Sequence, residues 1–117
     1  MPEMITIFYN PRCSKCRQAV ELLGEERVVI REYLKDAPSP EELAQVCSML
    51  GVQPTAIIRT KEKRFSELGL SLDNERGREE WLQILSENPV LIERPILIKD
   101  GKAIIGRPPE KVLKILG

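Results

Sequence analysis

An α/β fold built on a mixed sheet is what this sequence predicts, and three observations carry the prediction. The first third reads strand, helix, strand; the last third carries a hairpin and a closing helix; the stretch between is helical. At 117 residues the chain fits one compact domain and leaves no room for a second full core.

Met4-Ile5-Thr6-Ile7-Phe8-Tyr9 alternates and is rich in β-branched and aromatic residues, so it predicts the first strand, ended by Asn10-Pro11. From Cys13 the period changes: Cys16, Ala19, Val20 and Leu23 fall on one helical face, and Gly24 closes the helix. A second strand is expected over Val28-Val29-Ile30-Arg31-Glu32-Tyr33. This leaves Cys13 at the first strand-to-helix junction.

Ser39-Pro40-Glu41-Glu42 is a strong helix start. Ser39 can cap, Pro40 suits the first helical position and Glu42 can complete a capping box. Leu43, Val46, Cys47 and Leu50 form the expected buried stripe. From Val52 onward the pattern is harder to read, with a short apolar run at Ala56-Ile57-Ile58 and a charged stretch from Arg59 to Arg64. Trp81, Leu82, Ile84 and Leu85 mark another helix, stopped at Asn88-Pro89.

In the last third, Asp100-Gly101 between Ile96-Leu97-Ile98-Lys99 and Lys102-Ala103-Ile104-Ile105 predicts a two-residue β-hairpin turn. Pro108-Pro109-Glu110 then opens a helix with Val112, Leu113, Ile115 and Leu116 as its apolar face. The whole order matches the thioredoxin plan. The expectation is one thioredoxin-like domain over residues 1–117, with a helical insertion at about 36–88.

Composition narrows the function classes. Eighteen basic and eighteen acidic residues leave no net charge, so no long-range positive field draws in nucleic acid or a membrane surface. The first residues lack a basic segment followed by a long apolar run, and no apolar run reaches the length of a membrane span. Three cysteines make a poor disulfide framework, and a cytoplasmic protein with reduced thiols is expected.

Cys13-Ser14-Lys15-Cys16 is the sharpest chemical signal. A thiol reacts as its thiolate, and helix N-terminal N–H groups favour negative charge at that place. Arg12, Lys15 and Arg17 add positive charge nearby. Cysteines three apart on a helix sit on neighbouring turns, so a disulfide between them is geometrically plausible. Zinc would need four ligands, and the chain has no His and only one further Cys, so no metal is expected. Two packing cysteines are the bland alternative. Cys47 lies on an apolar stripe and reads as core.

Three arginines stand at the ends of apolar runs: Arg59 after Ile58, Arg94 before Pro95, and Arg107 after Gly106. Their planar charged forks suit a tetrahedral oxyanion, although any single arginine is more often a solvated surface group. Pro95 is the candidate for the cis-proline that thioredoxin-like folds carry before this strand.

With these residues in place, the chain resembles the glutaredoxin-coupled arsenate reductase family along essentially its whole length. The resemblance rests on Asn10-Pro11-Arg12-Cys13-Ser14-Lys15, Phe65-Ser66-Glu67-Leu68-Gly69-Leu70, Asn88-Pro89-Val90-Leu91-Ile92-Glu93-Arg94-Pro95-Ile96 and Gly106-Arg107-Pro108. It implies a cytoplasmic oxidoreductase in which Cys13 attacks arsenate and Arg59, Arg94 and Arg107 hold the oxyanion. Arg17, in a motif position of the family, is implied either to support the thiolate or to be a helix-surface charge. No bound cofactor is implied. The resemblance also implies glutathione as the reducing co-substrate and glutaredoxin to regenerate the thiol, and a monomer is expected.

Two departures stand out. The family's well-characterised reductases have a His where this chain has Tyr9, and usually a hydroxyl residue where it has Cys16. Cys16 offers an internal resolving thiol, which opens thioredoxin as an alternative donor. It also leaves two rival readings: a redox-switch protein similar to the Spx-type regulators, which bind RNA polymerase, and a general glutathione-dependent thiol reductase.

Overall fold

The computed structural model describes residues 4–24, 28–72 and 76–115, so the first three residues and Leu116 lie outside it. Among the described residues there are four strands and four α-helices: β1 Ile5–Phe8, α1 Ser14–Leu23, β2 Val28–Arg31, α2 Pro40–Leu50, α3 Lys63–Glu67, α4 Arg78–Glu87, β3 Ile96–Lys99 and β4 Lys102–Ile105. Short 3-10 segments occupy Pro54–Ile57, Pro89–Leu91 and Pro109–Ile115. They form two compact units, one holding the chain up to Asp36 and again from Arg94, the other Ala37–Glu93.

The first unit contains the sheet, in the order β2-β1-β3-β4. β1 pairs in parallel with β2 and antiparallel with β3, and β3 pairs antiparallel with β4, so the sheet is mixed and the fold is thioredoxin-like α/β. Asp100 and Gly101 both take positive φ, 50° and 74°, as a type I′ hairpin turn requires. Alternation along β1 sends Ile5 and Ile7 to one face. There they are buried with Ala19 and Leu23 of α1, Leu97, Val112 and Ile115. This core fixes α1 against the sheet and so fixes where α1 begins.

Two sequence expectations change here, at the closing helix and at β2. The closing helix is a 3-10 segment, begun by the Lys111 N–H donating to the Pro108 carbonyl at 3.0 Å. Three residues per turn align Val112 with Ile115, both buried, and turn Leu113 outward to 46% exposure. Leu113 is therefore not part of the apolar face. β2 is also shorter than the expected strand, with Tyr33 beyond its end.

In the second unit, α2 begins with the anticipated capping box: the Glu42 N–H donates to Ser39 Oγ and the Ser39 N–H to Glu42 Oε1, each at 3.1 Å. Leu43, Val46 and Cys47 of α2 and Trp81, Leu82 and Leu85 of α4 are buried, whereas Leu50 is half-buried. A single antiparallel bridge joins Ile58 to Ile92. Among the described residues no helix is long and apolar enough to cross a membrane.

Candidate active site around Cys13

The turn after β1 is built by its own side chain. Asn10 Oδ1 accepts from the Arg12 N–H at 3.0 Å, and the Asn10 carbonyl accepts from the Cys13 N–H at 2.9 Å. This local bonding delivers Cys13 to the N-cap of α1 in an extended conformation, φ −93° and ψ 116°. No side chain caps this helix, and its first turn has no acid. The helix N–H groups are thus left facing the Cys13 sulfur.

All three cysteines are free and buried, yet their acidities diverge. Burial pushes the Cys13 thiol up, but four effects together outweigh it: the Cys16 N–H, the Cys16 thiol, the Arg94 charge and the Lys15 N–H. The net result is a value below the ordinary 9.0. Cys16, wholly buried on the next turn, is pushed up to about 12, first by burial and then by hydrogen bonding and charge from Cys13. Cys47 is raised by burial, with only the Arg78 charge opposing. One sulfur of the pair is therefore set up as the thiolate and its neighbour as the protonated partner.

Two of the predicted arginines converge on Cys13. Arg107 Nη2 lies 3.9 Å from Cys13 Sγ, while Arg107 Nε donates to the Arg94 carbonyl at 2.6 Å. Arg94 in turn acts on Cys13 through its charge. The Arg94–Pro95 and Arg107–Pro108 peptides are both cis, and the Gly106 N–H donates to the Pro95 carbonyl at 2.9 Å.

Gly106 supplies a positioning feature that spacing alone did not reveal. A Cβ there would come within 2.8 Å of Val112 Cγ1 and 2.9 Å of Pro95 Cγ, so only glycine lets the strand leading to Arg107 pass this close. The signal in the sequence was a glycine wedged between an apolar run and Arg107-Pro108.

Of the two remaining predicted arginines, one is on α1 and one is in the second unit. Arg17 is exposed on α1, its N–H donating to the Cys13 carbonyl at 3.2 Å. Arg59 belongs to the second unit, where Nη1 lies 3.3 Å from Glu62 Oε1 and 3.4 Å from the Val90 carbonyl it donates to. Tyr9 is half-buried against the core of the first unit. Among the described residues no three metal-ligating side chains gather.

Arranged this way, the site can generate a thiolate and hold an anion beside it. Comparison with known proteins points the same way. The model of the ArsC family matches residues 8–115. An arsenate reductase of Neisseria meningitidis is 42% identical over 122 residues, covering 99% of this chain and 100% of its own. One from Haemophilus influenzae is 40% identical over 116 residues, covering 96% and 98%. The solved arsenate reductase of Vibrio cholerae superposes with a TM-score of 0.92 at 37% identity, covering 98% of this chain and 99% of its own. With a family match across nearly the whole length, the chain belongs to the ArsC family.

Proposed function

We propose that this protein reduces arsenate to arsenite, with Cys13 as the nucleophile. The observation that carries the reading is the state of one sulfur: Cys13 is held below the ordinary thiol value at an uncapped helix start, with Arg107 Nη2 3.9 Å away. The Cys13 thiolate attacks arsenic, forming a sulfur–arsenic bond as an arsenate oxygen leaves as water after protonation. Arg94 and Arg107 bind the remaining oxygens and offset the charge that builds on them. Arg59 is assigned as a third oxyanion ligand, and Arg17 as an accessory charge near the thiolate. Pro95 is the cis-proline of the site.

Glutathione is the reducing co-substrate, and glutaredoxin or thioredoxin restores the thiol. The chain works in the cytoplasm as a monomer, one thioredoxin-like domain in which the segment at about 36–88 is an insertion. The test is arsenite formation from arsenate by the purified protein, with glutathione plus glutaredoxin and separately with thioredoxin. Turnover with either donor is expected. Its absence with both, under conditions where Cys13 is reduced, overturns the reading.

A second reading draws on the hydrogen bond between the Cys13 and Cys16 thiols, because a thiol beside a thiolate is one oxidation away from a disulfide. In the reductase, Cys16 then acts as the resolving thiol. In a redox-switch protein, the same disulfide controls binding to a partner such as RNA polymerase. Disulfide formation under mild oxidant without any arsenite production would favour the switch.

A further inference from the structure

The loop that delivers Cys13 also builds something else. Pro11 and Arg12 form one wall of a cavity of about 510 Å3, and Tyr9, Glu32, Leu34 and Lys35 line much of the rest. That volume falls in the range of roughly 300–1,000 Å3 used to hold small organic ligands. Its walls are chemically mixed. Arg12 and Lys35 bring two positive charges and Glu32 one negative, while Tyr9, Pro11 and the exposed side chain of Leu34 give apolar surface. Lys35 Nζ lies 3.8 Å from Glu32 Oε1, so the opposite charges sit side by side on the β2 side of the cavity. Arg12 is covalently next to Cys13, and Asn10, whose carbonyl accepts from the Cys13 N–H, also lines the cavity.

We infer that this cavity is the docking site of the reducing co-substrate, a short peptide thiol of the glutathione class. The inference rests on the reading of Cys13 as the arsenate-reducing thiol. Such a peptide has two carboxylates, one ammonium and a free thiol, with net charge −1 near neutral pH. The cavity offers the complement: two cations for the carboxylates, one anion for the ammonium, one net positive charge, and apolar surface for the methylene groups between them. Its residues are distinct from Arg94 and Arg107, so donor and oxyanion occupy separate subsites, the donor's reaching Cys13 through its neighbour Arg12.

Docked there, the peptide thiolate attacks Cys13 Sγ of the arsenate adduct. A sulfur–sulfur bond forms and the sulfur–arsenic bond breaks. Its electron pair stays on arsenic, taking As(V) to As(III), and the departing arsenite takes its protons from water. Cys13 is left as a mixed disulfide with the peptide. A second thiol then reduces that disulfide.

The test separates binding from turnover by using S-methylglutathione, which has the same charges and no reactive thiol. Titrated into the 15N-labelled protein, it should shift the amide resonances of Tyr9, Leu34 and Lys35. Replacing Lys35 with Glu, at a side chain 81% exposed to solvent, should weaken that binding about tenfold or more, as loss of a charge-assisted contact does. Arg12→Ala should do the same. In turnover the same variants should raise the KM for glutathione by a similar factor, well beyond any change in the KM for arsenate. Shifts that map elsewhere, or variants that bind S-methylglutathione as tightly as the parent, overturn the inference. No shifts at all, with thioredoxin alone supporting turnover, overturns it too and leaves the reductase reading standing. S-methylglutathione binding in the cavity without arsenite formation from any donor overturns the reductase reading, and with it the cavity's role in arsenate reduction.

Discussion

Two helices of this molecule begin in opposite ways. α2 starts with Ser39, Pro40, Glu41 and Glu42: a reciprocal capping box, a proline at the first helical position and two acids facing the positive end of the helix. α1 starts with Cys13, has no side-chain cap and no acid in its first turn, and carries Lys15 and Arg17 there instead. The first arrangement satisfies every demand a helix end makes for stability. The second leaves N–H groups and positive charge unneutralised, and the group that benefits is a sulfur. The contrast separates a helix end that supports the fold from one that supports chemistry.

The largest effect that could break this comparison lies at its centre. Cys13→Ser should remove arsenite production altogether while leaving the far-UV circular dichroism unchanged, since Ser is nearly isosteric. Surviving turnover would mean that the uncapped helix end serves some other group. Next in size is Arg107→Ala, which deletes the guanidinium 3.9 Å from the sulfur. By the measure of a lost oxyanion donor, kcat/KM for arsenate should fall on the order of a hundredfold. A loss of less than threefold would remove Arg107 from the oxyanion site.

The acidity of the two thiols gives a sharper test, because their shifts run in opposite directions. Alkylation of Cys13 by iodoacetamide should follow a titration centred below 9.0, and Arg94→Ala should move that midpoint upward. A midpoint at or above 9.0 in the parent protein contradicts the arrangement. Stability follows the same logic with the signs worked out. The contribution of Cys13, whose value is lowered on folding, is present above 9.0 and is lost as pH falls through the lowered value. Cys16 works the other way: its contribution is complete below 9.0 and is lost as pH rises from there towards about 12. Replacing Cys16 with Ala should therefore flatten the alkaline loss of stability seen in urea titrations.

How much of this was legible depended on whether the signal was local. The start of α2 and the Asp100-Gly101 turn are written in adjacent residues, and both formed as read. The placement of Cys13 at a strand-to-helix junction was likewise local. α3 was not legible, because five residues with none buried carry no apolar period to detect. The closing helix misled for a related reason: a run of Val112, Leu113, Ile115 and Leu116 satisfies a 3.6-residue period nearly as well as a three-residue one. The approach of Arg107 to Cys13 spans 94 positions, and spacing offered only the hint that both lie at element ends. The divergence of the cysteine acidities was hidden too, since it depends on which sulfur the helix N–H groups reach.

A smaller effect probes how the site is held together. Gly106→Ala would force a methyl group against Val112 and Pro95, and overpacking of this kind costs about 1–3 kcal/mol. Because Gly106 directly precedes Arg107, the same change should raise the KM for arsenate, whereas a defect confined to packing would leave it untouched. Urea unfolding and steady-state kinetics on one preparation distinguish the two outcomes.

The smallest expected effect completes the comparison from the other helix. Ser39→Ala removes the Oγ that accepts the Glu42 N–H at 3.1 Å and so opens the capping box. Loss of such a cap costs about 1 kcal/mol. That cost should appear as a lower urea midpoint with an unchanged slope, because the surface exposed on unfolding stays the same. Arsenate kinetics should not move, since Ser39 is outside the residues assigned to thiol and oxyanion. Equal loss of activity in Ser39→Ala and Arg107→Ala would show that both helix starts feed the chemistry. A loss of stability alone in Ser39→Ala, against a loss of activity in Arg107→Ala, keeps the two helix ends in separate roles.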